Sequence, residues 1–183
     1  AFQGITAIKA KGQTIHSFFK LGPHFLSKDD VKELRDKQVI QNLDTILIDE
    51  ISMVRADLFD AIDLSLKKNR KNDKPFGGVQ MVLFGDVMQI DPIVGSDDEV
   101  MEKFYPNGPF FFNSKSYSKK DFKQIELTKI FRQSDKKFVN LLNKIRMNKL
   151  QNEDLSILNN QLINREEVPK DIIILVGANI IIS

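Results

Sequence analysis

The chain has 183 residues, 42% of them apolar and 28% charged, with no Cys and two His, His16 and His24. That balance is globular and excludes collagen-like or low-complexity disorder, while the lack of Cys excludes a disulfide scaffold, a Cys-ligated zinc finger and a thiol nucleophile. The net charge is +2 but uneven: residues 110–150 hold eleven Lys or Arg against three acids, so that stretch is +8 and the remainder −6, which suits either a polyanionic partner or a solvated face.

In chain order, residues 1–10 show no helix cap and read as the end of a strand and a loop around Gly4. Thr14 precedes the apolar stretch Ile15 to Phe19 and caps one or two helical turns. Ser27 with an acid three residues on is close to a capping box, which predicts a helix near residues 28–38. Thr45-Ile46-Leu47-Ile48 is a continuous apolar run that stops at Asp49-Glu50, the pattern of a strand buried on both faces in a parallel sheet. Leu58, Ile62 and Leu66 recur every four residues and predict a helix near residues 55–69. A polar loop and the turn Pro75-Phe76-Gly77-Gly78 lead to a second strand, Val79 to Phe84, which ends at Gly85-Asp86. Strand, helix and strand in this order imply a right-handed parallel crossover. Residues 95–109 read as loop, Phe110-Phe111-Phe112 as an apolar anchor, and Ile125-Glu126-Leu127 as a short strand. Ser134 caps a helix bearing Phe138, Leu141, Leu142 and Ile145; a further helix lies near 152–161, and Ile172 to Val176 form a last strand.

Carboxylates at the C-terminal end of a buried parallel strand lie where open α/β sheets bind ligands. Asp49 there can hold Mg²⁺ through its water shell and Glu50 can polarise an attacking water, although a strand running into an acidic turn has the same letters. A parallel neighbour sets the turn Gly85-Asp86-Val87-Met88-Gln89 beside them, and the Gln89 amide can sense a γ-phosphate by hydrogen bonding. Arg132, ahead of a helix, can reach a phosphate bidentately or be a surface cation. Thr14, His16 and Phe18 can touch single-stranded nucleic acid through hydroxyl, imidazole and ring, with core packing the competing reading for Phe18.

Together these stretches resemble the Pif-type (petite integration frequency) DNA helicases, the RecD-like branch of helicase superfamily one. GITAIKAKGQTIHSFFKLG resembles the family's first DNA-contact motif and its continuation, LIDEISMVRADLFDAID its Walker B motif, KPFGGVQMVLFGDVMQIDPI its signature running into motif III, and IELTKIFRQSDKKFVNLLNKIR its motif IV. The resemblance runs from residue 1 to about 165. It implies an α/β, RecA-like P-loop NTPase core with a parallel sheet: a partial first lobe at residues 1–124 and the start of a second RecA-like lobe at 125–183. It also implies ATP-driven 5′-to-3′ movement on single-stranded DNA, with ATP and Mg²⁺ as cofactors. By position, Asp49 would handle Mg²⁺, Glu50 activate water, Gln89 sense the γ-phosphate and Arg132 act as an arginine finger, with Gly85 and Asp86 at the nucleotide and Gly4, Thr14, His16 and Phe18 on the DNA.

The sequence departs from the family in several places. It contains no GxxxxGK[S/T], the backbone nest that cradles a triphosphate; Phe2-Gln3 stands where Pro-Thr is usual, and Asp91 where a second Pro is usual. The chain therefore reads as lobe one without its P-loop strand, inactive by itself, with an unpaired apolar edge at Val79 to Phe84 that makes it poorly stable. The alternative is a non-catalytic nucleic-acid-binding or vestigial ATPase-fold domain. Expected partners are single-stranded DNA and duplex junctions, bound by a monomer. No apolar run approaches the roughly 20 residues that cross a bilayer and no secretory signal is present, so an intracellular site is expected: cytoplasm in a bacterium or virus, nucleus or mitochondrion in a eukaryote.

Overall fold

The structure, a computed structural model, describes residues 4–160 apart from Asp36 and Arg132. The chain divides into two compact units, Ala1–Thr128 and Lys129–Ser183. In the first, the regular elements are α1 (Gly4–Lys9), α2 (Ile15–Phe19), α3 (Gln38–Gln41), β1 (Thr45–Ile48), α4 (Ala56–Arg70), β2 (Gln80–Leu83) and α5 (Asp98–Phe104), joined by short 3-10 turns. The second contains α6 (Lys136–Arg146) and α7 (Asn152–Asn159). The strand expected at 172–176 lies outside the described residues.

β1 and β2 pair in parallel, Thr45 opposite Gln80 through Ile48 opposite Leu83, with α4 as the crossover between them. Side chains alternate across a strand, so Ile46, Ile48, Met81 and Leu83 share one face. That face joins the core built on Leu58, Phe59, Ile62 and Leu66 of α4, each at most 1% exposed. Burying a side chain of this size contributes about 1.5–3 kcal/mol. The opposite face is bare: Leu47 is 64% exposed. The expectation of strands buried on both faces is thus corrected, because among the described residues only one helical layer covers the sheet. β2 has a single partner strand there, so its outer edge is unpaired.

The turn Pro75–Gly78 is bolted to α4. The Phe76 N–H donates to Asp63 Oδ1 at 2.6 Å, and the Phe76 ring packs edge-on against Phe59. The Arg70 guanidinium donates to the carbonyls of Gly77, Ile40, Gln41 and Leu43. Gly77 sits at φ +61°, and a Cβ there would lie 2.8 Å from the Leu66 carbonyl oxygen. Only glycine allows this approach. The latch sets where β2 begins, and hence its register on β1.

A second clasp holds the start of α4. Arg55, 6% exposed, pairs with Asp57 through two hydrogen bonds of 2.9 and 2.7 Å and donates to the carbonyls of Pro23 and His24. Asp57 also accepts the Leu26 N–H. Residues 23–26 are strapped across the helix by these bonds.

Several expectations fail for reasons of packing. The loop expected around Gly4 is instead α1, while residues 1–3 lie outside the described residues; Ala7 is buried, and Lys11 at φ 54° turns the chain so that Gly12 N–H closes on the Ala7 carbonyl. The Ser27–Asp30 capping box forms, but it caps one 3-10 turn instead of a helix to residue 38. Lys68 Nζ donates to the Val31 carbonyl, and the Leu34 N–H donates to Asn69 Oδ1, so α4 takes up backbone groups a helix would have used. The loop 95–109 contains α5, which buries Met101 and Tyr105 beside Ala56; its Gly and Pro residues bracket the helix. Ile125 and Leu127 form no strand and are 75% and 84% exposed, because no described strand lies alongside to take their hydrogen bonds. In the second unit Asp135, not Ser134, caps α6, accepting the N–H groups of Lys137 and Phe138. Leu141 of that helix is buried, and Lys144 pairs with Asp154 on α7 at 2.7 Å.

Replacing Arg70 by Met orphans the carbonyls it holds and is expected to lower stability by about 2–4 kcal/mol. A urea melt with a reduced midpoint checks this, and an unmoved midpoint contradicts the latch.

Candidate functional site

The sheet ladder continues past the ends of both strands. Phe84 N–H donates to the Ile48 carbonyl at 2.8 Å, and Ile51 N–H donates to the Phe84 carbonyl at 2.9 Å. These bonds draw the turn that follows β1 and the turn that follows β2 together at one sheet edge. A Cβ on Gly85 would lie 2.9 Å from Ile51 Cγ2, 3.0 Å from the Ile51 nitrogen and 3.2 Å from the Ser52 nitrogen. Glycine is therefore dictated by backbone meeting backbone. Asp49, Glu50, Gly85, Asp86 and Gln89 all lie on these two turns.

Asp49 is half-buried, and its Oδ1 accepts the Glu50 N–H at 3.0 Å. Glu50 is also half-buried and adopts the left-handed conformation, φ 56° and ψ 48°. A non-glycine residue pays about 1 kcal/mol or more in that region, and such strain concentrates at functional sites. Asp86 organises the second turn: its Oδ1 accepts Met88 N–H, and its Oδ2 accepts the Gln89 side-chain amide, both at 3.0 Å. Gln89 itself is exposed, so its amide is held by Asp86 at the solvent-facing rim.

The 3-10 turn that follows the acids carries Ser52, 2% exposed, whose Oγ has no hydrogen-bond partner among the described residues. An unpaired buried hydroxyl costs about 1–3 kcal/mol, so this atom marks a place where a polar group belongs. Sequence reasoning missed it; its burial arises from the close passage of Gly85, which no local pattern encodes. Among the described residues no cluster of three or more His, Asp or Glu could cage a metal. Mg²⁺ does not require one, being held by one or two carboxylates together with phosphates. The Asp49 carboxylate, the Ser52 hydroxyl and the narrow Gly85 turn fit the magnesium and terminal-phosphate end of a nucleotide. Arg132 lies outside the described residues.

The expected nucleic-acid residues sit on α1 and α2. Gly4 opens α1 and is exposed, with no atom near enough to demand glycine. Thr14 caps α2, its Oγ1 accepting the Ser17 N–H at 3.3 Å. Phe19 is core, whereas Phe18 is only half-buried, edge-on to Phe19 at 4.9 Å. Burial, and then the nearby Arg55 guanidinium, hold His16 below its ordinary pKa of 6.5. Its imidazole is neutral at pH 7 and acts there as a hydrogen-bonding group, not as a cation.

Two outcomes follow from this geometry. Gly85→Ala pushes the two turns apart and is expected to cost about 1–3 kcal/mol in a denaturant melt, with no loss if the close approach is absent. Near and below pH 6.5 the folded state binds fewer protons at His16 than the unfolded chain does, so stability falls as pH drops. The melting temperature is expected to fall from about pH 7.5 to about 5.5, and to fall less in His16→Gln; an identical slope in both proteins contradicts the assignment.

Comparison with known proteins points to one family at three levels. Residues 1–156 match the family model described as PIF1-like helicase. The ATP-dependent DNA helicase PIF1 of Saccharomyces cerevisiae is 37% identical over 164 residues, 84% of this chain and 18% of that protein. The Pif1 helicase of Bacteroides, solved in complex with ADP-AlF3 and single-stranded DNA, superposes with a TM-score of 0.83 at 36% identity, over 93% of this chain and 41% of that one. A Pif1 structure addressing DNA unwinding at forked duplex by two coordinating helicases gives a TM-score of 0.78 at 39% identity, over 85% of this chain and 39% of that one. The chain spans about a fifth of the length of the curated relatives it matches. With a parallel α/β sheet, the paired acidic and glycine turns at its edge, and this match across most of its length, the chain belongs to the PIF1-like helicase family and has its RecA-like fold.

Proposed function

We propose that the chain is part of an ATP-dependent DNA helicase that moves 5′ to 3′ on single-stranded DNA and opens duplex junctions in repair, recombination, and telomere and genome maintenance. The observation that carries this reading is the shared sheet edge: half-buried Asp49 and Glu50 on one turn, Gly85 to Gln89 on the next, and the unpaired Ser52 hydroxyl in the 3-10 turn that follows the acids. Family membership adds the substrate class. Bound ATP with Mg²⁺ supplies the anhydride bond whose hydrolysis drives movement.

Asp49 would hold Mg²⁺ through its water shell. Glu50, set at the lip of the turn by its left-handed backbone, would orient a water and accept its proton. Gln89 would exchange its hydrogen bond to Asp86 for one to a terminal phosphate oxygen, and so report the nucleotide state to the turn it sits on. Arg132 would neutralise charge on the transferring phosphoryl group. Thr14, His16 and Phe18 on α2 would meet the DNA, the hydroxyl and neutral imidazole by hydrogen bonds and the ring by stacking. Such a protein works wherever the cell keeps its DNA, and among the described residues no helix is long and apolar enough to cross a membrane.

In a protein carrying this chain together with a GxxxxGK[S/T] segment, Glu50→Gln is expected to cut DNA-stimulated ATP hydrolysis by about a hundredfold or more while leaving nucleotide binding intact. The 183 residues alone, which contain no such segment, are expected to release no phosphate on addition of DNA. Undiminished hydrolysis by the Glu50→Gln protein contradicts the proposal.

A further inference from the structure

Two cavities of similar size open on the first unit, about 630 and 570 Å³, and their charges differ. The larger runs along the flank of α4 and is lined by three acids, Asp57, Asp60 and Asp63, and three lysines. It is neutral overall, and its carboxylates are already engaged: Asp60 alone accepts the Tyr105 hydroxyl, two backbone N–H groups and the Ser116 hydroxyl. The smaller is lined by residues of α2 and by residues 32–35 and 39–40. Its described lining has three cations, Lys20, Lys32 and Arg35, against one acid, Glu33, whose carboxylate is held by Lys37. Among the described residues, the charge of this lining therefore favours an anion.

The rest of this cavity's lining is mostly apolar. Phe18, Leu34 and Ile40 form its walls, and Val39, 53% exposed, stands among its lining residues. Its size falls within the roughly 300–1,000 Å³ of small-ligand sites. It also adjoins the α2 residues proposed above to meet DNA: Ser17 lines it, and the Ser17 N–H is bonded to the Thr14 hydroxyl. A lining that joins exposed cations to aromatic and aliphatic side chains matches one nucleotide unit, the cations suited to its phosphate and the apolar side chains to its base.

We propose that this cavity is a base-accepting subsite for single-stranded DNA, in which Phe18, Leu34 and Val39 receive an unstacked nucleobase while Lys20 and Lys32 hold the flanking phosphates. The inference rests on the reading of α2 as a DNA-contacting helix and goes beyond it by adding Lys32, Leu34 and Val39 to the contact. The subsite gives the first unit a grip on bases as well as on the backbone. That grip is tolerant of sequence, since every base has a face to stack.

The test uses the 183-residue chain and fluorescence anisotropy, comparing a labelled oligothymidylate with an oligonucleotide of equal length whose sugars carry no bases. The base-bearing strand is expected to bind about tenfold tighter. Phe18→Leu should collapse that ratio toward one while leaving affinity for the abasic strand, and Val39→Gln, at an exposed position that does not threaten folding, should reduce it as well. Lys20→Gln with Lys32→Gln should weaken both strands alike and flatten the salt dependence. Circular dichroism of each variant confirms its fold, and Val39→Gln decides the matter if Phe18→Leu unfolds. Equal binding of the two strands by the parent chain, or a ratio that survives the Phe18 and Val39 changes, overturns the subsite and leaves the helicase reading standing. Displacement of DNA by a short acidic peptide with an equal affinity also overturns it. Failure to bind either strand overturns the DNA-contact reading of α2 as well.

Discussion

Two backbone hydrogen bonds just beyond the strands, Phe84 to Ile48 and Ile51 to Phe84, decide where the acidic turn and the amide-bearing turn end up. A parallel pair separates its strands by a long crossover in sequence but aligns their C-terminal ends in space. Continuing the ladder past those ends forces two turns to share one small volume. Gly85 makes the approach sterically allowed, and Glu50 absorbs the remaining mismatch in a left-handed backbone. The acidic turn and the amide-bearing turn are neighbours because of this one constraint.

The rest of the first unit maintains that alignment. α4 packs its apolar face on one side of the sheet and uses its polar side chains as brackets. Asp63 and Arg70 fix the Pro75–Gly78 turn, and so fix where β2 begins. Arg55 and Asp57 fix residues 23–26, and Asn69 and Lys68 fix residues 31–34. The Pro75 to Gly78 stretch is thus a structural latch: a buried ring, a glycine pressed against helix backbone, and a carbonyl held by an arginine. Breaking a bracket of this kind shifts register, and a shift of register in a parallel pair moves the turns that carry the chemistry.

Elements whose signals are local were legible in the sequence. The four-residue spacing of Leu58, Ile62 and Leu66 and the apolar run ending at Asp49 each specify their own geometry, and the Thr14 cap does the same for α2. Elements decided by distant partners were not legible. The segment after Ser27 leaves the helix because α4 captures its backbone groups, and Ile125 to Leu127 have the letters of a strand but no described neighbour to pair with. Leu47 looked like a residue buried on both faces, yet burial depends on how many layers cover the sheet, which a strand's own sequence does not state. In the candidate site, Asp49, Glu50 and Gln89 could be named from strand ends alone, and Gly85 and Asp86 from the family resemblance. Ser52 could not, nor could the cavity beside Phe18, because both arise where separate segments converge.

The claim at the centre is spatial, and an atomic-resolution structure of a protein carrying this chain, bound to a magnesium–nucleotide complex, measures it directly. The account predicts the ion's water shell on the Asp49 carboxylate, a polar atom within hydrogen-bonding distance of Ser52 Oγ, and the Gln89 amide released from Asp86 toward the terminal phosphate. A nucleotide bound away from this edge, with the Gln89 amide still on Asp86 and the Ser52 hydroxyl still unpaired, would contradict it.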